Sequence, residues 1–324
     1  MGKYLELFKG SFDESINEKM KEENKPYVAY SIKDNGVVYT IVPKKDEEGM
    51  YTIYRVVKKD ISGLTYNAVD LGLPSGRLWA DRNVGATGPE HYGSYFQWGD
   101  TNAYTFDGAG EVTAAKLAEI LNPLLEPELG FELNKDNIGE VLEMMGIPGT
   151  DLTMTGLGAS IDKEFNWDSY FDTTDSGNTF NKYDVDKLTV LESTDDAAYV
   201  HMGSEWRMPT IDEITELIDN TTPTFIDIQG NEFTQEEVQN GAISKMNLKG
   251  IRLTGTNGNS IFIPAAGYCY EAVLSGIGGS GCLWSSSLYE YGSLDGRVLS
   301  FYYDGNFGGS NISRYCGRSV RGIK

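Results

Sequence analysis

The sequence predicts an α+β fold, on three observations. Polar caps followed by apolar residues at helical spacing mark several short helices. Runs of Val, Ile, Tyr and Thr broken by Asn-Gly-type turns mark strands, and from residue 249 onward the strand pattern dominates. The 324 residues suffice for one large or two ordinary domains, and 40% apolar with 12% aromatic residues makes the chain globular.

Ser11-Phe12-Asp13-Glu14 reads as a capping box opening a short helix through about Glu23. PYVAYSI (26–32) and VVYTIVP (37–43) are strand runs separated by Lys33-Asp34-Asn35-Gly36. Asn-Gly there suits a two-residue hairpin, because a type I′ turn needs positive φ. MYTIYRVV (50–57) supplies a third strand. A helix and a three-stranded meander over residues 1–60 form a unit too thin to stand alone, so it is expected to rest on sister subunits or a larger structure.

In residues 61–104 glycines, aromatics and short apolar runs alternate, as in short strands joined by tight turns. Residues 108–160 read as a helical insertion packed on the main fold: Val112, Leu117, Ile120 and Leu121 keep helical spacing, and Ile138, Val141, Leu142 and Met145 repeat it. Thr210-Ile211-Asp212-Glu213 caps a helix whose Ile214, Leu217 and Ile218 share an apolar face. Thr256-Asn257-Gly258-Asn259 and Asp304-Gly305-Asn306 mark hairpin turns. No repeat of fixed period appears, which excludes a propeller or solenoid.

A formal net charge of −21 repels phosphate backbones, against nucleic-acid binding and against anionic membranes. No stretch approaches the length of a membrane span, so no membrane insertion is expected. The start, MGKYLELFKGSFDESINEK, lacks the apolar segment of a secretory signal, and synthesis in a cytoplasm without the usual secretory route is the expectation.

Catalytic chemistry finds little support. No nucleophile elbow, zinc-protease, phosphate-loop or dinucleotide motif occurs, so no catalytic residues and no cofactor are expected. Cys269, Cys282 and Cys316 form an odd set without CxxC spacing, and His91 and His201 are the only histidines. That leaves too little for a zinc site and favours reduced, structural thiols. Asp168, Asp172, Asp175, Asp184 and Asp186 do not have the spacing of a calcium loop; loop aspartates cap turns, and no metal is expected. Asp195-Asp196 and Glu236-Glu237 read as solvated faces, Trp206 as core and Arg207 as a clamp on nearby carbonyls.

The informative stretch is residues 281–320, where Ser, Gly, Tyr, Asn and Asp occupy 24 of 40 positions and Lys is absent. Tyrosine gives rigid amphipathic contact area and the small polar residues give adaptable hydrogen bonds, the composition of a paratope. In Arg297-Val298-Leu299-Ser300-Phe301-Tyr302, Leu299 and Phe301 suit a core face, leaving Ser300 and Tyr302 on the other.

Collinear motifs then become recognisable. Val69 to Gly76, Leu78-Trp79-Ala80, Asn83 to Ala86, Tyr92-Gly93, Tyr95 to Thr101, Asp195 to Ala198, Trp206 to Thr210, Pro264 to Tyr268, Leu283 to Ser287 and Arg318 to Arg321 resemble the Fibrobacter succinogenes major paralogous domain family. The resemblance covers roughly 61–104 and 165–324. It implies a C-type-lectin-like fold over 61–324, interrupted by the insertion at 108–160 and related to the formylglycine-generating enzymes and to the variable proteins of diversity-generating retroelements. The enzymes' paired catalytic cysteines have no counterpart here. In the variable proteins the diversified positions crowd the C-terminal strands and loops; the similar places are Tyr289, Tyr291, Ser293, Asp295, Tyr302, Asp304, Asn306, Asn311, Ser313 and Tyr315, the expected ligand-binding residues.

Lys25 to Ser31 and Val37-Val38-Tyr39 resemble segments of structural proteins of Bacteroides phages. The resulting expectation is a phage virion fibre or decoration protein, not an enzyme. Residues 1–60 would join virion proteins and hold a homotrimer, and the C-terminal region would bind a host-surface glycan or protein. Two alternatives are a bacterial or prophage-encoded adhesin or effector, and an enzyme of formylglycine-generating type.

Overall fold

The computed structural model describes residues 30–34, 37–42, 50–58, 60–144, 182–184, 186–245, 247–270 and 273–324. The helix expected at 11–23 and most of the acidic loop from Asp168 lie outside the described residues. The chain divides into two compact units, one of residues 1–57, 106–162 and 272–274, the other of 58–105, 163–271 and 275–324.

In the first unit, β1 (Tyr30–Asp34), β2 (Val37–Val42) and β3 (Met50–Lys58) form an antiparallel meander in which Asp34 stands opposite Val37 and Val42 opposite Thr52. Next to β3 lies β7 (Tyr104–Thr113), which leads into α1 (Ala114–Leu129) and then α2 (Ile138–Met144). Thr113 caps α1 by accepting a hydrogen bond from the Lys116 backbone N–H at 3.2 Å. The predicted helical spacing buries Leu117, Leu121, Ile138, Val141 and Leu142, and they share one core with Tyr51 of the meander. The helices therefore begin at Ala114 and not at residue 108, because the preceding residues continue as a strand.

In the second unit, β4 (Ala68–Asp70) and β5 (Leu78–Ala80) pair, and β6 (Ser94–Phe96) follows. Then come α3 (Ala197–Met202), α4 (Ile211–Asp219), β8 (Thr221–Asp227), β9 (Glu232–Phe233) and α5 (Gln235–Gln239). The remaining strands are β10 (Leu248–Gly255), β11 (Ser260–Pro264), β12 (Ala266–Tyr270), β13 (Val273–Ile277), β14 (Ser280–Leu288), β15 (Asp295–Tyr302), β16 (Phe307–Ser313) and β17 (Arg318–Ser319). One sheet runs β11-β10-β8-β9, and another has β6-β17-β14-β15-β16 side by side. In the latter, β17 lies parallel to β14 and antiparallel to β6.

The expected α+β, C-type-lectin-like class is corrected by this architecture. Among the described residues seventeen strands, nearly all antiparallel, stand against five α-helices, so the described part of the chain is β-rich. The physical reason lies in helix length. Capping signals mark where a helix starts and not how far it runs. Apart from the 16-residue α1, the described α-helices end within five to nine residues. Tight turns between aromatic and β-branched runs give the rest to strands; at the β15–β16 turn Gly305 supplies the positive φ, +82°.

Two cores flank β14 and β15. Leu283, Leu299 and Phe301 pack with Ile214 and Leu217 of α4 and with Phe225, Ile251 and Ile263 of the four-stranded sheet. On the opposite face Cys282, Trp284 and Val298 pack with Phe96, Trp98, Met208 and Val320. The two indoles lock this second core, Trp98 Nε1 donating to the Ser285 carbonyl and Trp284 Nε1 to the Phe96 carbonyl, each at 2.8 Å. The expected capping box of α4 is present: Thr210 and Glu213 bond reciprocally, and Glu213 also receives the Arg207 guanidinium at 2.7 Å. Arg207 additionally donates to the Met208 carbonyl, the clamp expected of it. Asp196 departs from the reading as a solvated residue. It is buried, caps α3 through the Tyr199 N–H, and accepts the Met208 N–H at 2.8 Å.

Candidate functional site

The face of the sheet that carries Trp284 and Val298 is closed there and open a few residues away. Directly opposed residues share a face, and Trp284↔Val298, Cys282↔Ser300 and Ser280↔Tyr302 follow one another at two-residue steps. Beside Ser280, Cys282 and Tyr302 of this face lies a cleft of about 380 Å³.

Each strand contributes to it. From β14 come Ser280, Gly281 and Cys282; Tyr302 and Asp295 mark the two ends of β15; Asn311, Ile312 and Ser313 close β16; Tyr268, Cys316 and Arg318 come from β12, the turn before β17, and β17. Gly281 is required by close packing: a Cβ there would stand 2.1 Å from the Phe301 ring. The chain from Ser313 turns through a hydrogen bond from the Cys316 N–H to the Ser313 carbonyl, which carries Cys316 and Arg318 to the cleft.

The polar groups differ in how they are held. Asp295 lies opposite Ser313, and its carboxylate accepts from Asn311 Nδ2 at 2.8 Å and from the Ser313 hydroxyl at 3.2 Å. Arg318 is 6% exposed, and its guanidinium lies 4.2 Å from the centre of the Tyr268 ring. Its Nε is buried without a hydrogen-bond partner, and among the described residues no carboxylate pairs with it. Burial pushes the Tyr302 phenol above its ordinary value; neighbouring Cys282 adds to this and the Arg318 charge opposes it. Burial likewise pushes the Cys282 thiol up to about 11 and raises that of Cys269, so these sulfurs stay protonated at neutral pH. All three cysteines are buried and unbridged.

Of the ten residues expected to bind ligand, Asp295, Tyr302, Asn311 and Ser313 come together in the cleft. Tyr289 and Tyr291 lie in the β14–β15 connection, ring centres 5.6 Å apart, with Tyr291 83% exposed. Ser293 in the same connection gives its carbonyl to Arg314. Asp304 and Asn306 bond to each other in the β15–β16 turn, and the Tyr315 carbonyl accepts from Gln97. Sequence reasoning missed Arg318, Tyr268, Cys282 and Cys316. The first two stood in motifs quoted for the family resemblance, which is the signal that pointed to them. Among the described residues no group of His, Cys, Asp and Glu is arranged to hold a metal ion, and no helix is long and apolar enough to cross a membrane. Of the five aspartates named in the acidic loop, Asp184 and Asp186 are described, and Asp186 caps a turn by accepting the Tyr183 and Leu188 N–H groups.

No family model, no curated protein and no solved structure matches the chain.

Proposed function

We propose that this protein is a receptor-binding component of a phage virion, a fibre or decoration protein that recognises a glycan or protein on the host surface. The observation that carries the reading is the cleft on the C-terminal sheet, lined by Tyr302, Ser280, Asn311, Ser313 and Asp295. Hydroxyl, amide and phenol groups around a concave site are the equipment of recognition, orienting a ligand without attacking it. The Cys282 thiol in the cleft is buried and pushed up to about 11, which disfavours nucleophilic chemistry by that sulfur. The motifs resembling the Fibrobacter succinogenes major paralogous domain family, and the N-terminal segments resembling phage structural proteins, support a place on the particle. In this reading residues 1–60 anchor the protein to its virion neighbours and hold a homotrimer.

Immunogold electron microscopy of purified virions tests the assignment. Gold at regular positions on particles is expected; its absence from particles sinks the reading. Light scattering of the full chain is expected to give three times the monomer mass of 35.8 kDa. A monomer would favour an adhesin or effector acting alone.

A further inference from the structure

We infer that the cleft takes an acidic sugar, with the sugar's carboxylate seated on the guanidinium of Arg318. The inference deepens the proposed function and rests on its glycan arm.

Arg318 is buried at the cleft wall. A guanidinium removed from water is expensive unless an anion or several acceptors meet it. Nearby buried Arg321 leaves Nη1 without a partner but has acceptors for its other nitrogens: it donates twice to Asn83 Oδ1, at 3.0 and 2.9 Å, and once to the Phe262 carbonyl. Arg314 donates to the carbonyls of Ser293 and Lys182. Arg318, among the described residues, has the Tyr268 ring behind it and no acceptor in front. The ring packs against the guanidinium fork, whose N–H groups have no oxygen to meet among the described residues. A carboxylate fits such a fork with two parallel hydrogen bonds. Asp295 does not neutralise it. That residue stands at the other end of β15 from Tyr302, and its oxygens already accept from Asn311 and Ser313.

The remaining lining selects a sugar over a peptide. At about 380 Å³ the cleft is of small-molecule size. Ser280, Tyr302, Asn311 and Ser313 offer donors and acceptors suited to hydroxyl groups. The chain as a whole is strongly acidic, so a lone cation held ready in a cleft stands against the general field and singles out an anionic ligand.

The test uses the full chain and calorimetric titration with oligosaccharides ending in glucuronate or N-acetylneuraminate, their methyl esters, and neutral oligosaccharides of the same length. An acidic sugar is expected to bind, and its methyl ester to bind about tenfold more weakly or worse. Arg318→Gln is expected to lose the same factor, and Arg318→Lys to keep part of it, with thermal melting unchanged. The ester comparison uses the wild-type chain alone, so it decides even where a variant fails to fold. Equal binding of acid and ester, or binding of neutral sugars only, overturns the carboxylate seat and leaves glycan recognition standing. If no sugar of either kind binds, the inference and the glycan arm fall together, and a protein receptor remains.

Discussion

Two stretches of one sheet face behave oppositely. Around Trp284 and Val298 every large side chain is covered and the indole N–H groups have carbonyl partners. Two residue steps along the same strands, Ser280 and Tyr302 border an open cleft with Arg318 beside it. The arginines repeat the contrast. Arg321, three residues after Arg318, is fully buried and bonded to Asn83 and the Phe262 carbonyl, whereas Arg318 is nearly as buried and has an aromatic ring in place of acceptors. The difference separates structure from recognition. A group whose partners come from the chain holds the fold, and one left short of partners in a cleft is held for a ligand.

Variants sharpen the contrast. The largest expected effect lies in the closed stretch: Trp98→Ala or Trp284→Ala should cost about 3–5 kcal/mol, read as an early midpoint in denaturant unfolding. Arg321→Gln comes next, at about 3 kcal/mol, because it strands the Asn83 and Phe262 oxygens without donors in the interior. At the open stretch the sign of the experiment changes. Tyr302→Ala should leave the melting temperature nearly unchanged and weaken ligand binding by about 2 kcal/mol. If melting collapses instead, Tyr302 belongs to the closed stretch and the cleft is part of the core.

The smallest effect is a pH dependence remote from the cleft. Burial disfavours the ionised Glu213, but Arg207 and the hydrogen bonds of Thr210 outweigh it and hold the carboxyl below its ordinary value. A carboxyl lowered in the folded state contributes stability above its unfolded value, and that contribution is lost as pH falls through the folded value. Arg207→Gln should therefore cost about 1 kcal/mol at neutral pH and flatten the acid limb of the stability profile. A limb unchanged in Arg207→Gln would show that other carboxylates set it.

The sequence disclosed local devices better than long-range ones. The Thr210–Glu213 capping box, the turn at 256–259 and the apolar spacing of α1 were legible because each depends on residues a few positions apart. The α+β class was overestimated for the same reason, since a capping signal is local and helix length is set by packing. The strand at Tyr104–Thr113 overlaps the expected insertion, its two glycines masking any alternation. Asp196 looked solvated until the Met208 N–H closed over it from twelve residues away. The parity of Leu299 and Phe301 against Ser300 and Tyr302 was legible from strand periodicity alone. The buried functional candidate Arg318 was not, because the absence of acceptors around a side chain is a property of the assembled interior.

The most direct test of the central claim compares the two arginines in one experiment. In a nitrogen-15 spectrum of the full chain, the side-chain Nε–H signals of Arg318 and Arg321 are followed while glucuronate is added. A saturable shift of the Arg318 signal with Arg321 unmoved is expected. A stationary Arg318 signal, or equal shifts of both, would contradict it.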